Sequence, residues 1–130
     1  SQPIFFFFLK TTTDDNDKEN DEIYYCNASG ADGRGQYMTE GFVVLKGSSG
    51  PLKKSPSPDG KRAERIRVKL IKNNIFKIEG DRVICQKDHL FGSPSGAAVS
   101  LVGRAINGWM VWIDKDGRTL DELKRQSDDS

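Results

Sequence analysis

The chain has 130 residues, of which 35% are hydrophobic and 30% are charged, and its formal net charge is +1. This length suits one domain with a single core, and no apolar run approaches the roughly 20 residues that a membrane-spanning helix needs. Two cysteines do not make a disulfide framework, so we expect Cys26 and Cys85 to be reduced and partly buried in a cytoplasmic protein. No secretory signal pattern opens the chain, and the start at Ser1 without Met suggests a fragment of a longer protein.

The charge is unevenly distributed along the chain. Residues 1–40 are net −5, residues 41–118 hold fifteen basic and seven acidic residues (net +8), and residues 119–130 are net −2. A basic middle is typical of a surface that faces phosphates, although Lys and Arg that only solvate the surface would give the same count.

The first 22 residues divide into an apolar and an acidic part. The run Pro3–Leu9 has no polar alternation, which predicts a strand or segment buried on both faces. Thr11–Glu22 is acidic and without periodicity, so we predict a solvated loop and assign it no function. Ile23–Cys26 then predicts a short strand, and the domain proper is expected to cover residues 23–125, with a frayed tail at 126–130.

The next segment alternates between strand and loop signals. Gly30–Gly35 is a glycine-rich turn that matches no phosphate-binding motif, and Gly41–Lys46 predicts a strand. Ten of the fourteen residues at 47–60 are Gly, Ser or Pro, which predicts a mobile basic loop. Such a loop either clamps a polyanion or is an inert insertion, and the sequence favours neither.

Lys61–Asn74 predicts an amphipathic helix. At about 100° per residue, Ala63, Ile66 and Leu70 share one face. An adjacent arc of roughly 80° carries only cations; these are Arg62, Arg65, Lys69 and Lys72. Like charges on one face of a helix lower its stability, and a nearby anion would offset that repulsion. A face that is only solvated explains the pattern equally well.

Two strands and a second helix follow. Phe76–Glu79 and Arg82–Gln86 predict a hairpin turning at Gly80-Asp81. Ser93 as a cap, with Pro94 at the first helical position, predicts a closely packed helix that ends at Gly103 and Asn107-Gly108.

The C-terminal part predicts one more strand and a short helix. Trp109–Ile113 is rich in aromatic and branched residues and predicts a strand, in which Trp109 and Trp112 face opposite sides. Thr119 and Glu122 form a capping-box pattern that starts a short helix. The fold class predicted is α+β, with a mostly antiparallel sheet, two main helices and a short C-terminal helix.

Four blocks of the sequence carry a resemblance to a known family. They are Gly41–Ser48, Phe91–Ala98, Gly103-Arg104 with Asn107–Trp109, and Trp112–Leu120. In order and spacing they resemble the domain of unknown function found C-terminal to the nuclease domain in GIY-YIG nuclease family proteins. The helix start and the Asn-Gly-Trp block are also similar, more distantly, to the RAMA domain of restriction systems, which is linked to reading methylated adenine.

The residues that enzymes need are not arranged for catalysis. His89 is the only histidine, Ser residues lack the G-x-S-x-G elbow, and C-x-x-C and H-E-x-x-H are absent. We therefore expect no enzyme activity, no cofactor, no small-molecule substrate and no membrane contact; a nuclease domain would lie elsewhere in the parent chain or complex.

The leading hypothesis is a nucleic-acid-binding accessory domain that positions a nuclease or restriction enzyme on DNA. Candidate phosphate contacts are Lys46, Arg62, Arg65, Lys69, Lys87 and Arg104. Ser93 and Ser95 at a helix N-terminus suit a phosphate, and Asn107 suits an adenine edge, although an Asn-Gly turn explains Asn107 more simply.

One tryptophan is expected to stack on a base and the other to lie in the core. We predict Trp109 in the core and Trp112 at the site. The alternative hypothesis is a protein–protein interaction module of a restriction or defence complex, in which the Phe run and the acidic ends recognise the partner.

Overall fold

A computed structural model of the chain describes residues 22–52 and 59–126. The predictions for the apolar run Pro3–Leu9, for the acidic segment up to residue 21 and for the tail at 127–130 lie outside the described residues. So does the part of the predicted basic loop at 53–58.

The first sheet has four antiparallel strands. Their bounds are β1 (Ile23–Cys26), β2 (Gly33–Met38), β3 (Gly41–Val44) and β7 (His89–Phe91), and they are arranged in the order β1-β2-β3-β7. Alternate residues turn one face inward, so Tyr24 and Cys26 of β1 and Phe42 and Val44 of β3 are buried.

The second sheet has three antiparallel strands. Their bounds are β4 (Ser49–Pro51), β5 (Phe76–Glu79) and β6 (Arg82–Cys85), and they are arranged in the order β4-β6-β5. The predicted hairpin is confirmed, with Gly80 at a positive φ of 62° in the turn. The two sheets adjoin where the main chains of Asp32 and Ser49 exchange hydrogen bonds of 2.8 and 3.0 Å.

The helices are α1 (Asp59–Lys72), α2 (Pro94–Val102) and α3 (Gly108–Val111), with a π-helical turn at Asp121–Gln126. The predicted start and end of α2 are confirmed, since Ser93 Oγ accepts from Gly96 N (3.1 Å) and Gly103 has a φ of 90°. The capping box is also confirmed: Thr119 N donates to Glu122 Oε1 (3.0 Å) and Glu122 N donates to Thr119 Oγ1 (3.1 Å). Within the described ranges, no helix is long and apolar enough to cross a bilayer.

Helix α2 lies at the centre of the domain and packs against α1 and both sheets. Ala97, Ala98 and Leu101 are fully buried there. The small side chains permit close approach, and a Cβ added at Gly50 of β4 would overlap the Leu101 carbonyl oxygen. This packing is that of an α+β domain with mostly antiparallel sheets, as predicted.

Two segments predicted as turn or loop are strands instead. Gly33 and Gly35 of the glycine-rich segment belong to β2, and Ser49–Pro51 of the predicted mobile loop forms β4. At Gly33 a Cβ would lie 2.7 Å from a Leu101 methyl group and 3.1 Å from the Trp112 ring, so glycine permits close packing in a strand here and does not form a turn.

The predicted strand Trp109–Ile113 is wrong. Residues Gly108–Val111 form α3, and only Ile113 makes β-bridges, to Tyr25 and Thr119. The helix is favoured because Asn107 Oδ1 accepts from Trp109 N (3.0 Å) and caps it, while Gly108 packs closely on Pro94. The local cap by Asn107 and the tertiary contact of Gly108 with Pro94 therefore override the strand propensity of these aromatic and branched residues.

Candidate functional site

The cations predicted on α1 lie together on its exposed side. Arg62, Arg65, Lys69 and Lys72 are exposed, while Ala63 and Leu70 on the opposite side are buried. The ion pairs within the described residues use Lys77 and Arg118 as their cations, so this basic arc is not neutralised by them. Lys69 and Lys72 also stand in the last turn, where the helix dipole favours positive charge.

Lys46 and Lys87 meet at one corner of the first sheet. The main-chain N–H of Lys46 donates to Asp88 Oδ1 (2.8 Å), which brings the loop after β3 against the residues that precede β7. Both lysines are exposed, but the Asp88 carboxylate lies beside them and reduces the local positive potential. Next to them, His89 is half-buried and packs edge-on to Phe91, with ring centroids 4.9 Å apart. Burial, and then the charge of Lys87, lower the pKa of His89.

The N-terminus of α2 is not the open phosphate site that was predicted. Ser93 Oγ caps the helix, and Ser95 Oγ accepts from Gly108 N (2.9 Å). The carbonyl oxygen of Pro94 accepts from Trp112 Nε1 (3.0 Å). The first turn of α2 is therefore covered by α3, and the two serine hydroxyls already hold the fold together.

Arg104 and Asn107 are both exposed, and each has a partner within the protein. Arg104 Nη2 donates to Ser29 Oγ (2.8 Å), and Asn107 Oδ1 caps α3. A bidentate contact to adenine needs both the oxygen and the nitrogen of an Asn amide. Because the oxygen is engaged, a structural role accounts for the geometry of Asn107, as the cap of α3 and not as part of the predicted turn.

The predicted place of Trp112 at the site is wrong, since Trp112 is the more deeply buried of the two tryptophans, while Trp109 packs against the edge of the core. Trp112 is fully buried, with its ring centroid 4.4 Å from that of Phe42, so it is not available to stack on a base. Trp109 is half-buried and packs edge-on to Tyr37, at a centroid distance of 5.7 Å. Lys124 Nζ lies 5.6 Å from the Tyr37 ring centroid. Tyr37, Trp109 and Lys124 form an aromatic cluster that the sequence did not reveal, because they come from β2, α3 and the C-terminal turn.

The cysteines are free, as predicted, and they are fully buried, where partial burial was predicted. Burial raises the pKa of both thiols, which keeps them protonated and unreactive at neutral pH. In the part of the chain that the structure describes, no group of three His, Cys, Asp or Glu side chains could hold a metal ion.

Comparison with known proteins identifies a family without assigning a function. The family model described as a domain of unknown function (DUF4357) matches residues 24–124. No curated protein and no solved structure matches the chain significantly. The match spans nearly all of the two sheets and the three α-helices described above.

Proposed function

We propose that this chain, which belongs to the DUF4357 family of domains of unknown function, is a non-catalytic nucleic-acid-binding accessory domain. Its proposed ligand is DNA. The observation that carries this proposal is the basic arc of α1. Four cations project from one side of a helix whose other side is fixed in the core. Such an arc follows a phosphate backbone without reading the sequence.

The aromatic cluster of Tyr37, Trp109 and Lys124 is the second element of the proposal. Trp109 is half-buried and packs edge-on to Tyr37, and base stacking on a tryptophan ring contributes about 1–3 kcal/mol. Trp109 thus takes the role first expected of Trp112. Arg104, Lys46 and Lys87 remain candidate phosphate contacts because their side chains are exposed.

The biological setting that we propose follows from the sequence resemblance. The domain would position an associated nuclease or restriction enzyme on DNA, and N6-methyladenine is the modification that it would sense. In this role the domain places the associated enzyme on DNA, and the enzyme catalyses the reaction.

The test is a fluorescence-anisotropy titration of the full chain with duplex DNA, with and without N6-methyladenine, at two salt concentrations. The variant Arg65→Gln/Lys69→Gln is compared with the matched control Lys77→Gln/Lys115→Gln, which removes the same charge from β5 and from the turn after α3. If each α1 cation neutralises one phosphate, the slope of log K against log salt becomes shallower by about 1 for each cation removed from α1. The control variant should keep the slope of the parent chain.

Four outcomes are informative. Tighter binding to the methylated duplex supports a modification reader, and salt-dependent binding that ignores methylation supports a general DNA-positioning module. Absence of binding at low salt, or equal losses in the two charge variants, contradicts the proposed DNA surface.

A further inference from the structure

An apolar groove lies beside the basic arc of α1, between that helix and the second sheet. Its lining includes Val68 and Ile71 of α1, Ile78 of β5, Leu52 after β4, Gly103 after α2, and the side chain of Arg67. Its volume is about 160 Å³, similar to that of an apolar cavity of about 150 Å³ that holds a benzene-sized group. This space is sufficient for an aliphatic side chain.

The groove brings together apolar side chains that are exposed to solvent. Among the described residues, four large hydrophobic side chains are strongly exposed, and two of them, Val68 (57%) and Ile78 (54%), lie together in this groove. Apolar residues that are exposed singly need no explanation, but a grouped pair lining a concave surface is typical of a binding site.

A buried guanidinium lies at one side of the groove. Arg67 is only 6% exposed, and its Nε and Nη2 donate to the carbonyl oxygens of Ser100 and Leu101 (both 2.9 Å) at the end of α2. The ion pairs within the described ranges do not include Arg67. A guanidinium carries five N–H donors, so these two bonds leave donors for a further acceptor. The carbonyl oxygens of Ser100 and Leu101 thus fix the positively charged Arg67 guanidinium beside the groove.

The outer rim of the groove is also basic. On the surface of α1, Lys61 and Arg65 lie next to Val68, and Lys69 lies beside Arg65 on the side away from Val68. Residues 61–72 hold six basic residues and one acidic residue, Glu64, which also borders the groove. An occupant that combines an aliphatic side chain with carboxylates would match both the apolar lining and this positive balance of charge.

We propose that the α1 groove is a docking site for an acidic segment of a partner protein. The segment inserts an aliphatic side chain between Val68 and Ile78, directs one carboxylate toward Arg67 and lays others along Lys61 and Arg65. A protein segment fits better than a nucleic acid, because a phosphate backbone has no aliphatic group for the apolar lining. The inference does not depend on DNA binding: the two proposed surfaces share Arg65, but the apolar lining of the groove has no part in contacting a phosphate backbone.

The test begins with selection of random displayed peptides on the full chain. The expected result is enrichment of sequences with an aliphatic residue flanked by Asp or Glu. A selected peptide is then synthesised with a fluorescent label and titrated by anisotropy. Replacement of its acidic residues by Asn or Gln is expected to weaken binding about tenfold.

The protein variant that isolates the groove is Val68→Thr/Ile78→Thr. Threonine keeps the β-branched shape while removing apolar character, and every charge stays in place. The matched control is Leu90→Thr/Met110→Thr, which changes two comparably exposed side chains on β7 and α3. We expect the groove variant to lose about tenfold or more in peptide affinity and the control to lose little, while both variants bind DNA like the parent chain.

Urea denaturation of each variant checks that it is folded. The proposal is overturned if the selected peptides carry no acidic residues, or if the groove variant and its control bind the labelled peptide equally well. A parent chain that self-associates, and does so less after the groove substitutions, would assign the groove to a second copy of the chain and overturn the proposal in that way.

Discussion

Trp112 Nε1 donates a hydrogen bond of 3.0 Å to the carbonyl oxygen of Pro94, in the first turn of α2. The indole is fully buried against Phe42, and a buried indole N–H needs such an acceptor. Through this bond the segment after α3 closes over the N-terminus of α2. The same contact places Trp112 in the core and leaves Trp109 near the surface.

The two tryptophans should therefore differ in their contribution to stability. Trp112→Phe removes buried surface and the bond to Pro94, and we expect a loss of about 1–3 kcal/mol in the free energy of unfolding. Trp109→Phe keeps an aromatic ring beside Tyr37 and should cost about 1 kcal/mol or less. Urea denaturation followed by far-UV circular dichroism measures both. A larger loss for Trp109→Phe would contradict the burial seen here.

Glycine at position 50 should be indispensable for the packing of β4 on α2. A Cβ there would overlap the Leu101 carbonyl oxygen, so Gly50→Ala must displace backbone and is expected to cost about 3 kcal/mol or more. Gly92→Ala is the matched control, because an added Cβ meets no atom within 4 Å among the described residues. Thermal melts of the two variants give the comparison, and similar melting temperatures would refute the close approach.

Arg67 should not be replaceable by lysine. The guanidinium spans the carbonyls of Ser100 and Leu101, whereas an ammonium group lacks the planar fork to reach both in this geometry. Arg67→Lys is expected to destabilise the fold by about 2 kcal/mol, the contribution of one hydrogen bond to a charged group. Arg62→Lys, on the exposed side of the same helix, should change stability by less than about 0.5 kcal/mol. Chemical denaturation tests both, and equal effects would show that the fork is not required.

Asp114 should make the stability depend on pH in the acid range. Burial alone would raise the pKa of this carboxyl. Three hydrogen bonds outweigh that effect and lower the pKa below its ordinary value of 3.8; the donors are the main-chain N–H groups of Arg118 and Asp116 and the Arg118 side chain. Its stabilisation is therefore fully present above pH 3.8 and is lost as the pH falls through the folded-state pKa.

Replacement of Asp114 tests that sign. Asp114→Asn is expected to cost about 1–3 kcal/mol at neutral pH, and its difference from the parent chain should shrink on acidification. Asp116→Asn, which removes an exposed ion pair with Arg118, should cost less than about 1 kcal/mol at any pH. Urea midpoints measured from neutral pH down to about pH 3 give the free energies of unfolding that test this. A stability loss for Asp114→Asn that is independent of pH would contradict the lowered pKa of Asp114.

The local signals in the sequence predicted much of the fold. The amphipathic period found α1 and its buried face, the Ser93 cap and Gly103 bounded α2, and the Thr119–Glu122 capping box marked the last turn. These signals succeeded because caps and periodicity act within a few residues of one another. The exposed basic arc of α1 was predicted for the same reason.

The errors have a different cause. The placement of Trp112 at the site was wrong because its contacts with Pro94 and Phe42 lie far away in sequence. The strand at 109–113 was wrong because Asn107 was interpreted as part of a turn and not as the cap of α3. Arg67 was counted only as one more basic residue, since nothing local indicates that its guanidinium reaches the end of α2.

The sequence by itself therefore determined the α+β class, the ends of α2 and the basic arc of α1, because these depend on hydrogen bonds or side-chain spacing within one element. The tertiary structure alone decided which tryptophan is buried, why Gly50 admits no side chain, and that Arg67 borders an apolar groove. Those outcomes depend on how α2 packs between the sheets, and the free energy of that packing comes from residues that only the folded chain brings together.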